Sequence, residues 1–128
     1  MFLLLSYLIS LATATVSYSG TTLTIADEST IGASQVSAHK TAVTLVITST
    51  SAVTIQDQAF QGFTALTTVS IQGTSINIAT TSFTGCTAIT SVSLNSPSLS
   101  IQNGAFQSAA KLTINYTGTS FNANMASF

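Results

Sequence analysis

From Val53 onward the sequence repeats itself. VTIQDQAFQGFTALTTVSIQGTS from Val53, INIATTSFTGCTAITSVSLNSPS from Ile76 and LSIQNGAFQSAAKLTINYTGTS from Leu99 superimpose position by position. Ile55, Ile78 and Ile101 lie 23 residues apart, as do Phe60, Phe83 and Phe106, and Leu66, Ile89 and Leu112. The third row drops one residue after Leu112, so Ile114 follows Val69 and Val92 in its column, and Tyr116 follows Ile71 and Leu94. A further row opens at Phe121 and ends in Ser127-Phe128, which matches Ser82-Phe83. A fixed period of this length restricts the chain to a solenoid, because one row cannot bury its apolar side alone whereas stacked rows can.

Each row divides into parts with distinct physics. In TTVSI and TSVSL, Val69 with Ile71 and Val92 with Leu94 alternate with Ser70 and Ser93, the period of a strand with one buried face. Gly73, Pro97 and Gly118 follow these strands as turn residues. A second extended piece at Val53, Ile76 and Leu99 returns the chain to the core. Asp57, Thr80 and Asn103, again 23 apart, are favoured helix N-caps. They predict a short helical turn through Phe60, Phe83 and Phe106, ending near Gly62 and Gly85.

Before Val53 the repeat is poor. Leu23-Thr24-Ile25 echoes Val53-Thr54-Ile55, and VTLVI from Val43 reads as a strand. Residues 20–52 are therefore assigned to an N-terminal cap and an atypical repeat, and residues 53–128 to three repeats plus a partial fourth. At the start, FLLLSYLISLA from Phe2 has the length of a secretory apolar region, and Ala12-Thr13-Ala14 fits cleavage after Ala14. Residues 1–14 are assigned to a signal peptide, and the protein is expected to be secreted or at the cell surface. The apolar run is too short for a membrane span, and nothing after Thr15 approaches the roughly 20 apolar residues that one requires.

Composition narrows the function. Charged residues make up only 4% and the net charge is −1, while Ser and Thr supply about a third of the chain. No basic surface exists to attract nucleic acid. The apolar share of 45% separates the chain from disordered sequences, so its neutral hydroxyls belong to the surface of a packed fold.

AFQGFTALTTVSI and SFTGCTAITSVSL resemble the BspA-like leucine-rich repeats, whose rows carry Ala-Phe, a Cys or small residue three further on, then Leu and a Val-x-Ile strand. The resemblance implies an α/β solenoid: a right-handed, strand-dominated horseshoe with short helical turns and a period of about 23. It also implies export and a role in surface adhesion.

Candidate chemistry is sparse. Cys86 shares its column with Phe63 and Ala109 and reads as a buried small hydrophobe. His39, the one imidazole, bears no periodic relation to it, so no base is paired with the thiol. Asp27 and Glu28 are adjacent in a turn-like stretch, and Asp57 is assigned to capping. No metal-ligand spacing or phosphate-binding loop is present. No enzyme, metal or cofactor is expected.

The outward strand positions are the candidate binding face: Thr68, Ser70 and Gln72, then Ser91, Ser93 and Asn95, then Thr113, Asn115 and Thr117. Asn115-Tyr116-Thr117 is also an N-glycosylation sequon. The expected function is adhesion or recognition of a protein or glycan ligand on another cell. The alternative is a structural spacer or coat component that self-associates through its open C-terminal repeat.

Overall fold

The structure is a computed structural model and describes residues 13–124. The apolar run of the expected signal peptide and the Ser127-Phe128 pair lie outside the described residues.

Among the described residues eleven strands follow in chain order: β1 (Thr15–Ser19), β2 (Thr22–Ala26), β3 (Thr30–Ile31), β4 (Thr44–Thr48), β5 (Val53–Ile55), β6 (Thr68–Gln72), β7 (Ile76–Ile78), β8 (Ser91–Asn95), β9 (Ser98–Ile101), β10 (Thr113–Thr117) and β11 (Ser120–Ala123). Between β3 and β4 lie a short helix, α1 (Ala33–Val36), and a 3₁₀ turn at Ser37–His39. The strands form two sheets. The first has the order β1-β2-β4-β6-β8-β10 and the second β11-β9-β7-β5-β3. All pairings are parallel except that of β1 with β2, which close an antiparallel hairpin over the N-terminal end. The result is a strand-dominated solenoid of about four turns with a period near 23.

Register follows the sequence columns. Val69 pairs with Val92 and Val92 with Ile114, while Ile71 pairs with Leu94 and Leu94 with Tyr116. The one-residue deletion of the third row is thus absorbed before β10. In the second sheet Ile55, Ile78 and Ile101 align from coil to coil. A one-residue slip would turn every branched side chain to water, so burial on one face fixes this register.

Between the sheets lies one continuous core. Phe60, Phe83 and Phe106 are buried and stack face to face, with centroids 5.0 Å apart at each step and planes within 6° and 8° of parallel. Phe63 meets Phe60 edge-on at 5.3 Å. Each such ring contributes roughly 1.5–3 kcal/mol by burial alone. The last coil is less well covered: Leu112, Ile114 and Tyr116 are only partly buried, and Phe121 is 54% exposed.

Two expectations are corrected. The segments after Asp57, Thr80 and Asn103 are not helices but strings of tight turns, and the only α-helix among the described residues is the four-residue α1. The residue following each expected cap is left-handed: Gln58 at φ 58°, Thr81 at 55° and Gly104 at 67°. A left-handed residue interrupts a right-handed helix at its first turn. The backbone bonds are accordingly of two kinds: turn bonds such as Gln61 N–H to the Gln58 carbonyl at 3.1 Å, and bonds between coils, from Phe60 N–H to the Ser82 carbonyl and from Phe83 N–H to that of Ala105, at 2.8 and 2.9 Å. Gly62, Gly85 and Ser108 form a second left-handed column, at 75°, 79° and 96°, where the chain turns toward the first sheet.

The second correction concerns Leu23-Thr24-Ile25. This segment does not belong with Val53-Thr54-Ile55: β2 pairs with β4, Leu23 with Leu45 and Ile25 with Ile47, in the first sheet. The partner of Val53–Ile55 on that side is β3, through Ile31 and Ile55.

Candidate binding face

Because side chains alternate across a strand, burying Val69, Ile71, Val92 and Leu94 turns their neighbours outward. All nine sequence-derived positions lie on this outer surface of the first sheet. Thr68, Ser91 and Thr113 form one in-register column, Ser70, Ser93 and Asn115 a second, and Gln72, Asn95 and Thr117 a third. Ser70 and Ser91 are half-buried, and the other seven are exposed. Neighbouring strands bring members of a column to about 4.8 Å.

The face is larger than the sequence repeat indicated. Strand pairing continues the first column through Thr44, Thr22 and Ser19, so that every member carries a hydroxyl. The second continues through Val46, Thr24 and Ser17, and the third through Thr48, Ala26 and Thr15. The missed signal was spacing: Leu45-x-Ile47 stands 22 residues after Leu23-x-Ile25 and 24 before Val69-x-Ile71.

No ionisable side chain occupies any of these positions. Apart from Val46 and Ala26 the face offers hydroxyls and amides, which both donate and accept. Adjacent coils are tied within a column in places, as where the Thr117 hydroxyl donates to Asn95 Oδ1 at 3.2 Å. At one border Thr67 Oγ1 donates to the Val43 carbonyl at 3.2 Å, and Thr90 Oγ1 to that of Thr67 at 3.4 Å. At the opposite border Asp27, left-handed at φ 56°, accepts from the Thr50 N–H at 3.3 Å and joins Thr48 and Gln72 around a shallow cleft of about 340 Å³.

The residues with reactive potential lie elsewhere and apart. Cys86 is buried, and burial pushes its thiol up to about 11, against a smaller lowering from a Phe63 backbone hydrogen bond. His39 stacks on Tyr18 at 5.1 Å, and the Tyr18 hydroxyl lies 3.0 Å from Thr41 Oγ1. Among the described residues no three His, Cys, Asp or Glu side chains come together to hold a metal ion. Nor is any helix among them long and apolar enough to cross a membrane.

A solenoid of stacked parallel strands, with one continuous core and a broad neutral outer sheet, is a repeat scaffold. The chain matches the family model described as BspA type leucine rich repeat region, in six copies across residues 21–127, and it belongs to that family. Such repeats are typically non-enzymatic scaffolds for protein interaction. No curated protein and no solved structure matches the chain.

Proposed function

We propose that this chain is an exported leucine-rich-repeat binding protein that adheres to, or recognises, components of host or microbial surfaces through the outer face of its first sheet. The observation that carries the reading is the in-register array of neutral donors and acceptors running from β1 to β10. Its partner is a protein or glycan that presents hydrogen-bonding groups, since the array has no charge with which to select an ion. Residues 1–14 serve as the leader, residues 20–52 as cap and atypical repeat, and residues 53–128 as the repeats proper. The coils wind right-handed, as nearly all parallel crossovers do, and the array curves as a horseshoe. Asn115 accepts an N-linked glycan where the export route is eukaryotic.

The test is cell binding. Labelled protein should attach to epithelial or bacterial surfaces, and Ser70→Arg with Ser93→Arg should abolish attachment without lowering the melting temperature. Failure to bind either surface, or equal binding by the variant, would overturn the reading.

A second reading, a self-associating spacer, is favoured by one observation. Phe121 of β11 is exposed beside Tyr116 of β10, at 5.7 Å between ring centroids, where the last described strand of each sheet lies. Sedimentation that depends on concentration, and ceases to do so in Phe121→Ser, would support it.

A further inference from the structure

The second sheet has an outer surface of its own. Its strands place Thr30, Thr54, Asn77, Ser100 and Asn122 in one column. Beside it runs a second column, Gln56, Ala79, Gln102 and Asn124, each donating its backbone N–H one coil back at 2.9–3.1 Å. Ser100 is the short side chain between Asn77 and Asn122, and the surface sinks there into a cleft of about 420 Å³. Thr80, Ser100, Gln102, Asn103, Asn122 and Asn124 line the cleft, with Ile101 at its base.

We propose that this cleft is a subsite for a neutral oligosaccharide. Its volume falls in the range of small-ligand sites, but its lining is unlike the usual apolar one. Each of the six polar residues carries both donor and acceptor capacity, which matches a sugar ring, where every hydroxyl does the same. Thr80 Oγ1 donates to Gln102 Oε1 at 3.4 Å, which occupies one of the two lone pairs of that oxygen and leaves the other, with the two amide N–H groups, for a ligand. Among the described residues no Lys, Arg, Asp or Glu lines the cleft, so a phosphate, sulfate or ammonium group would be desolvated there without a counter-charge. The surface is distinct from the first-sheet array, and its role does not depend on that of the array.

The full chain is titrated with cello-, chito- and manno-oligosaccharides, with a sulfated heparin oligosaccharide as charged control, while side-chain amide resonances are followed by NMR. At least one neutral probe should give saturable shifts confined to Gln102, Asn103, Asn122 and Asn124, with a Kd of about 1 mM. Ser100→Gln, which fills the cleft from the surface, and Gln102→Ala should each weaken binding about tenfold or more while backbone spectra stay native. Ser93→Arg, on the first sheet, should leave it unchanged. Absence of shifts with all three neutral probes, an equal response to the sulfated one, or undiminished binding by Ser100→Gln would overturn the proposal.

Discussion

The Cys86 thiol donates to the carbonyl oxygen of Phe60 in the preceding coil, at 3.0 Å and out of contact with solvent. The thiolate would have neither water nor a cation there, which is why the folded chain holds the proton more tightly than an ordinary cysteine thiol does. For an acid raised in this way, the unfolded chain loses its proton first. Stability is therefore undiminished by this group below pH 9 and declines as pH rises from there toward about 11. Urea denaturation at increasing pH should show the decline, and Cys86→Ala should remove that part of it. Below pH 9 the native thiol should resist a thiol reagent unless the chain is unfolded.

Phe83 has an aromatic ring above and below it, at 5.0 Å on both sides. Phe83→Ala should cost about 3–5 kcal/mol, and Phe83→Leu distinctly less, because the cavity is smaller. Equilibrium urea unfolding provides the measurement. A loss under about 1 kcal/mol for the alanine variant would mean that the coils do not share one core.

The left-handed column makes a paired prediction. Gly85 lies at φ 79°, and a Cβ there would meet only Gly62 backbone atoms at 3.6 and 3.7 Å, which is ordinary contact. Gly85→Ala should therefore destabilise by about 1–2 kcal/mol through conformation alone. Ser108, at φ 96° in the same column, bears that strain already, and Ser108→Gly should raise the melting temperature.

Gly118 presents the opposite case. Its φ is ordinary, yet a Cβ would overlap the Ser96 carbonyl oxygen and the Tyr116 ring. The single proton of the Tyr116 hydroxyl is shared between two carbonyl acceptors, Ser120 O at 2.7 Å and Pro97 O at 3.1 Å, and joins the turn to the last coil. Gly118→Ala should displace this ring and cost about 1–3 kcal/mol, with increased quenching of tyrosine fluorescence by acrylamide.

Expression in a eukaryotic secretory host tests the sequon. Asn115 is exposed on β10, and a glycan there would cover Ser93 and Thr117. An endoglycosidase-sensitive mass shift that vanishes in Asn115→Gln is the expected result.

The features most legible in the sequence were those in which one residue type recurs at one depth. The columns of Ile55, Phe60 and Val69 specified core, register and outer face for three coils because burial tolerates little substitution. The turns were misread for a physical reason: Asp57, Thr80 and Asn103 are capping types, but whether a helix follows depends on the next residue's φ. Gln58 and Thr81 do not advertise a left-handed conformation, and only Gly104 does. The N-terminal coils were misaligned because Leu23-Thr24-Ile25 suits either sheet, and intervals of 22 and 24 blur the period. The second-sheet cleft left no motif, since it arises where a short Ser100 sits between longer neighbours in adjacent coils.

Alternation along each strand of the first sheet separates two kinds of evolutionary freedom. Val92 and Leu94 answer to the interior, while Ser93 and Asn95, and in part Ser91, answer to whatever lies outside. A lineage can therefore rewrite the outer surface one coil at a time, or duplicate a coil with its triplet, without renegotiating the core beneath. Divergent specificities on a common framework are what such an arrangement permits.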